Sequence, residues 1–473
     1  MPPPEPRIET IVAISTPPGR GGIGIVRLSG PESERIAAGL VRMDNLPEHA
    51  RVRRARVIDP DDPAATIDDA LVTVFLAPRS YTGETLVEIA AHGSPVVLEA
   101  MVREALARGA RLAHAGEFTQ RAFFSGRLDL TQAEAVHDLI AAQTLDQARV
   151  AAQQMGGAIS QRVTPAKSAL LHLIALLEAG MDFASGELDD VDIVPPAQIA
   201  AAIATVHVPL AALAASFRRG QLLRNGAAIA LIGPPNAGKS SLFNRLLERE
   251  RAIVTPLPGT TRDTVEESLS LGGIPLRLID TAGLRSGAGQ DDAIDLAEQQ
   301  GIARSHEALA DADLVLLIHD ATQSLTAAES HVAASLAAPG VARPHLVVYN
   351  KVDLLAADTA AAPSTQEPEA HAIRTSALTG EGLPQLRDAI LAHMGASGSL
   401  AESGALNNFR QQEAVSATLA ALSAAAAAND SSLPHELILM DLHTALRALD
   451  SLTGATTPDD ILARIFSTFC IGK

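Results

Sequence analysis

The chain has 473 residues, enough for about three domains at ordinary domain size. Hydrophobic residues make up 47% and charged residues 19%, which marks a globular chain and excludes a disordered one. Aromatics at 3%, with no Trp, weigh against aromatic-platform capture of single-stranded nucleic acid, and a net charge of -18 weighs against bulk electrostatic capture, though not against a local basic patch.

The N-terminal MPPPEPRIETIVAIS lacks a basic segment followed by an apolar one, so no secretory leader is expected. Residues 1–128 mix short β-branched runs with turn signals. Strands are expected at Ile23–Leu28, Ala70–Leu76 and Leu86–Ala90, with a helix from Pro95 to Arg108, an α+β pattern. Glu88 sits mid-strand between Val87 and Ile89, where a carboxylate needs a partner, and Arg27 follows a Gly-rich turn. The basic run Arg51-Val-Arg-Arg-Ala-Arg56 reads either as a contact to nucleic-acid phosphates or as a solvated strand face.

Helical character begins at residue 129, where Thr131 and Glu134 match a capping box. Thr164 and Pro165 read as an N-cap and first-turn proline ahead of the stripe Leu170, Ile174, Leu177. Pro195-Pro196 punctuates, and helix resumes to about Leu223. From Ala227 the pattern becomes strand–helix alternation: AAIALIG, PLRLIDTAG, ADLVLLIHD and HLVVYNKVD. Such runs predict a mostly parallel sheet covered on both faces, ending near His393. After the small-residue stretch SGSLAESG helix returns, and Thr457, Pro458 and Asp460 open a last helix into Phe466. No run of about 20 residues is free of charge or Pro, so no membrane span is expected. Cys470 is the single cysteine, which excludes an intrachain disulfide and points to the cytoplasm. The expected fold class is multidomain α/β plus α. It comprises an α+β domain (1–128), a helical bundle in two parts (129–223 and 395–473), and an inserted P-loop G domain (224–394).

Gly233-Pro-Pro-Asn-Ala-Gly-Lys-Ser240 fits G-x4-G-K-[ST] between a strand and a helix, the context a P-loop requires. Asn236, Ala237, Gly238, Lys239, Ser240 and Ser241 are assigned to nucleotide. Lys239 supplies a cation to the β- and γ-phosphates and Ser240 a hydroxyl to Mg2+. Asp280-Thr281-Ala282-Gly283 ends a strand as D-x-x-G does. Asp353 of Asn350-Lys351-Val-Asp353 accepts from the guanine edge, which selects guanine over adenine, and Ser376-Ala377-Leu378 adds a backbone contact to the base. Thr255, Pro256, Leu257, Pro258, Gly259, Thr260 and Thr261 form the intervening switch, with a threonine for Mg2+ and γ-phosphate. Four ordered motifs on one βα framework define a GTPase. Leu284 stands where a water-positioning Gln is found elsewhere, so hydrolysis needs another arrangement. Asn236 and the Thr255–Thr261 segment can hold a monovalent cation beside the phosphates.

With these motifs in place, TPPGRGGIGIVRLSG, HAGEFTQRAFFSGRLDLTQAEAV and the terminal RIFSTFCIGK resemble the MnmE (TrmE) family over essentially the whole chain. This family comprises the GTPases that modify wobble uridine in tRNA. The resemblance implies an N-terminal domain that binds a tetrahydrofolate derivative (5-formyl- or methylene-tetrahydrofolate) and forms a homodimer. It also implies an FAD-dependent partner, MnmG, joined in a heterotetramer. The two together install an aminomethyl or carboxymethylaminomethyl group at C5 of uridine 34. K+-dependent pairing of G domains drives GTP hydrolysis. By the same resemblance K+ falls to Asn236, Thr255, Leu257 and Thr260, Mg2+ to Ser240 and Thr261, and water orientation to Glu298, in a segment that departs from the family's V-E-R-I-G pattern. Folate falls to Arg27, Glu88, Arg127 and Lys473. Cys470 is either a nucleophile toward uridine C6 or a packed, ligand-lining residue. A second function, a ribosome-assembly GTPase acting as an RNA-binding switch, shares the G motifs alone.

Overall fold

The computed structural model describes residues 9–184, 194–250, 266–280, 312–324, 344–355, 372–395, 404–455 and 459–472. The chain divides into two compact units. One holds Met1–His137, Met155–Ser160 and Leu442–Lys473; the other holds Asp138–Gln154 and Gln161–Asp441.

The first unit is built on a 7-stranded sheet: β1 (Ile11–Ile14), β2 (Gly21–Ser29), β3 (Val41–Arg42), β4 (Val52–Ile58), β5 (Thr66–Phe75), β6 (Leu86–Gly93) and β7 (Arg111–Leu112), in the order β3-β4-β5-β6-β2-β1-β7. Strand alternation sends Val26, Leu28, Val72, Val74, Val87 and Ile89 to one face. There they are buried with Ile36 and Leu40 of α1 (Ser33–Leu40) and Leu98 and Met101 of α2 (Pro95–Ala107). The intervening residues face away, and the register aligns Thr73, Glu88 and Arg27 in one row across β5, β6 and β2. The three expected strands and the helix are present, the strands longer than expected. Helices α3 (Glu117–Phe124) and α4 (Leu130–Ala141) follow.

The cap of α4 lies earlier than Thr131 and Glu134. Asp129 Oδ1 accepts from the Gln132 amide at 2.9 Å, and Gln132 Oε1 accepts from the Asp129 amide at 2.9 Å, a reciprocal pair two residues upstream. A second core joins Leu130, Ala133 and Val136 to Leu462, Phe466 and Phe469, so α13 (Asp459–Ser467) returns the C-terminus to this unit.

In the second unit, α5 (Leu145–Met155) leads to α6 (Ala158–Ala184), which begins in the first unit. Pro165 lies inside α6 and not at its first turn; tertiary packing of Val163, Ala166 and Leu170 carries the helix across it. The helical run Pro196–Asn225, which opens with α7 (Pro196–Ala215), is long and apolar enough, by length and composition alone, to cross a membrane. Within it, α7 has a buried face. It buries Ile199, Ile203, Val206, Leu210 and Leu213 as one stripe and packs on α11 (Phe409–Asp430), as a core helix does. α8 (Phe217–Asn225) leads into the second sheet: β8 (Ala227–Ile232), β9 (Glu266–Leu271), β10 (Ile274–Asp280), β11 (Leu314–Asp320), β12 (His345–Asn350) and β13 (Ala372–Arg374), in the order β13-β12-β11-β8-β10-β9. All pairs are parallel except β9 with β10, and the near-continuous apolar runs of β8 and β11 are buried among α9 (Lys239–Glu250) and α10 (Leu383–His393). α12 (His435–Thr453) begins in the second unit and runs on into the first, which resumes at Leu442.

Candidate functional site

The nucleotide site stands at the carboxyl ends of β8, β11 and β12, where open parallel sheets bind ligands. Asn236 and Gly238 adopt φ of 65° and 89°, which turns successive amides of the loop toward one concavity. Gly238 is obligatory, because a Cβ there would lie 2.2 Å from Asn350 Nδ2. Lys239 is buried, and its Nζ donates to the carbonyls of Gly233 (2.8 Å) and Pro234 (2.9 Å), folding the cation across the loop. Ser240 is exposed on the first turn of α9, placed for a cation ligand. Asp280 ends β10 beside Leu231 of β8 in parallel register.

Asn350 joins the loops. Its Nδ2 donates to the Ala237 carbonyl at 3.0 Å, and its Oδ1 accepts from the Ala377 amide at 3.1 Å. Ser376 Oγ donates to Asp353 Oδ1 at 2.5 Å and accepts from the Thr379 amide, so the Asp353 carboxylate is held from one side. Leu378 is exposed. Asp320 escaped the sequence reading: it pairs with Lys351 Nζ at 2.7 Å. Thr255, Pro256, Leu257, Pro258, Gly259, Thr260, Thr261, Thr281, Ala282, Gly283, Glu298 and Lys473 lie outside the described residues.

In the first unit, Arg27 donates to Glu88 Oε1 from Nε (3.0 Å) and Nη2 (2.7 Å), as cross-strand neighbours. Its guanidinium carbon lies 5.9 Å from the Tyr81 ring and 5.6 Å from the Phe118 ring. Tyr81 donates to or accepts from Thr119 Oγ1 at 2.9 Å, and burial pushes its phenol pKa up against the opposing pull of Thr119 and Arg27. The C-terminus arrives at the same place. Gly472 O accepts from Ser15 Oγ (3.1 Å) and Arg27 Nη1 (3.4 Å), Ile471 bridges Ala115, and Cys470 O accepts from the Gly116 amide. Phe469 is packed and Cys470 is exposed. Arg127 is exposed, its Cγ near the Gly83 turn ahead of β6. A half-buried carboxylate paired with a cation fits the hydrogen-bonding edge of a pterin, while the fully buried Phe118 ring backs the cation.

A polar network behind this pair was not read from sequence. Glu117 accepts from Arg111, Arg121 and the His114 amide; Arg121 also reaches Glu84, which Ser29 contacts at 2.8 Å. Burial acts to raise the Glu117 pKa, but these donors outweigh it and hold the carboxyl below its usual range. Arg51, just before β4, and Arg53, Arg54 and Arg56 on it are exposed, and Arg54 pairs with Asp69 at 3.0 Å. Among the described residues no group of three or more His, Cys, Asp or Glu forms a metal cluster.

Gly472 has φ +93°, and a Cβ there would stand 2.5 Å from the Ile14 carbonyl. Gly472→Ala should therefore cost about 1–3 kcal/mol and release the C-terminal segment. A thermal melt and carboxypeptidase digestion check this; an unchanged melt with an undigested C-terminus contradicts it.

The fold and the guanine-selective P-loop define a GTP-hydrolysing enzyme. Two family models match: the GTP-binding protein TrmE N-terminus over residues 10–127, and the MnmE helical domain over residues 130–470. The tRNA modification GTPase MnmE of Koribacter versatilis is 51% identical over 467 residues, covering 98% of this chain and 99% of that protein. That of Nitrosomonas europaea is 42% identical, with the same coverage of both. The solved G domain of the T. maritima FeoB iron transporter is 26% identical with a TM-score of 0.25, over 35% of this chain and 98% of that one. The chain belongs to the MnmE family of tRNA modification GTPases.

Proposed function

We propose that this chain couples GTP hydrolysis to modification of wobble uridine in tRNA. With the FAD-dependent MnmG it adds an aminomethyl or carboxymethylaminomethyl group at C5 of uridine 34. The observation that carries the reading is one chain with two built sites, the guanine-selective P-loop and the Arg27–Glu88 pair to which the C-terminus returns. Family membership favours this over the ribosome-assembly switch.

Lys239 binds the β- and γ-phosphates, Asp353 and the Ser376-Ala377-Leu378 loop bind the base, Asp280 supports Mg2+ and the Gly283 amide meets the γ-phosphate. Ser240 and Thr261 would hold Mg2+, and Asn236, Thr255, Leu257 and Thr260 would hold K+; both ions neutralise charge developing on the phosphates. Glu298 orients the attacking water. Glu88 accepts from the pterin, while Arg27, Arg127 and Lys473 supply cationic contacts. The folate supplies the one-carbon unit. Cys470, exposed in the segment that returns to this site, either attacks uridine C6 or lines the ligand. The proposed domain boundaries are 1–128, 129–223, 224–394 and 395–473. The sheet face carrying Leu71 and Val52, both exposed, supports N-terminal homodimerisation. The setting is cytoplasmic.

GTP hydrolysis by the full chain should be faster in KCl than in NaCl at equal ionic strength, and 5-formyltetrahydrofolate should raise the melting temperature. Equal rates discard the K+ site; an unmoved melt at saturating ligand discards the folate site. Full uridine modification by a Cys470→Ser variant eliminates the nucleophile.

A further inference from the structure

Asp320 ends β11 directly across from Asn350 of β12, and the Ala321 amide donates to the Asn350 carbonyl at 2.8 Å, so the two strand ends are tied. The next residue on β12's side, Lys351, has φ of 67°, and its Nζ donates to Asp320 Oδ2 at 2.7 Å. Asp320 Oδ1 accepts from the Thr322 hydroxyl (2.7 Å) and amide (3.0 Å). The carboxylate is thus 5% exposed with both oxygens engaged. The Lys351 stem runs from this anchor past the P-loop, its Cε 3.9 Å from the place a Cβ on Gly238 would take. A lysine held by its ammonium presents its methylenes as an apolar platform.

We infer that Asp320 is a positioning residue for base recognition: it anchors Lys351 so that the lysine stem forms a fixed support for the flat face of guanine, while Asp353 reads the edge. This rests on the nucleotide site proposed above. Burial acts to raise the Asp320 pKa, but Lys351 and Thr322 together bring it to about 2, so the anchor stays charged at any pH the site meets. Loss of the anchor leaves the lysine mobile, and its ordering must then be paid by nucleotide at each binding event.

The test is equilibrium binding and steady-state hydrolysis by the full chain carrying Asp320→Ala, Asp320→Asn or Lys351→Met, with GTP, GDP and ITP. Asp320→Ala should raise Kd and KM for GTP and GDP by about ten-fold or more. kcat at saturating GTP and the GTP-to-ITP preference should hold, since the edge contact is untouched. Asp320→Asn, which keeps an acceptor for Lys351, should fall between wild type and Asp320→Ala, and serves where the alanine variant does not fold. In the Lys351→Met background Asp320→Asn should add no further loss of affinity. A lowered melting temperature with wild-type Kd in either Asp320 variant overturns the inference, as does a loss in kcat alone or full additivity with Lys351→Met. Failure of the wild-type chain to bind GTP strikes the proposed function instead, so the two readings fail separately.

Discussion

Lys239→Ala should lower GTP hydrolysis at saturating substrate by about a thousand-fold, in line with the loss of a preorganised charge facing a transferring phosphoryl group. The expectation rests on placement. Lys239 opens α9, is buried, and crosses the loop to the carbonyls of Gly233 and Pro234. No neighbouring segment need move for phosphate oxygens to replace those carbonyls as acceptors. The fold should tolerate the change at a cost of about 1–2 kcal/mol, because Gly233 and Pro234 are half-exposed and water can satisfy their carbonyls. Single-turnover hydrolysis with a parallel thermal melt separates the two effects. Residual activity within about ten-fold of wild type would remove Lys239 from the phosphate site. A collapsed melt would instead make the lysine a structural link.

The described part of the G site was legible because it resides in contiguous motifs whose backbone demands show in residue type. Gly238 and Asn236 stand at positive φ, where glycine and asparagine are tolerated, and Asn350, Asp353 and Ser376 assemble as their motifs imply. Asp320 was not legible: a single aspartate at the end of an apolar strand carries no spacing signal, and only the β11–β12 register brings it to Lys351. The first unit shows the same limit at longer range. Arg27 and Glu88 came from the family resemblance, with a local argument, a carboxylate among apolar neighbours, in support. Ser15 and Gly472 meet across 457 positions through one hydroxyl and one carbonyl, which no pattern predicts. Local capping logic failed at Thr131 because Asp129 and Gln132 offered the same reciprocal bonding two residues earlier. It failed at Pro165 because side-chain packing outweighed one lost backbone hydrogen bond. The N-terminal network of Glu117, Arg111, Arg121 and Glu84 draws on α3, β7 and the turn before β6, so its members looked like ordinary surface charges.

Arg27→Ala tests whether that first-unit site is a ligand site or only an ion pair. Arg27 binds Glu88 through two donors, contacts the Gly472 carbonyl, and lies against Tyr81 and Phe118. Its side chain is 17% exposed and that of Glu88 25%, so the pair is only partly removed from water. Breaking it should cost about 1–3 kcal/mol, below the range for fully buried pairs because water can screen the remaining carboxylate. The ligand effect should be larger. A ligand at a thousand times its Kd stabilises the native state by about 4 kcal/mol, and all of that should vanish in the variant. Arg27→Lys keeps the charge but loses the planar two-donor geometry, so it should recover melting temperature more fully than it recovers the 5-formyltetrahydrofolate response. GTP hydrolysis, which the second unit carries, should be retained in both variants. If Arg27→Ala melts lower yet still gains the full ligand-induced shift, the pair is structural and the folate must be held elsewhere. If the shift is lost in a folded variant while hydrolysis continues, the Arg27–Glu88 pair belongs to the ligand.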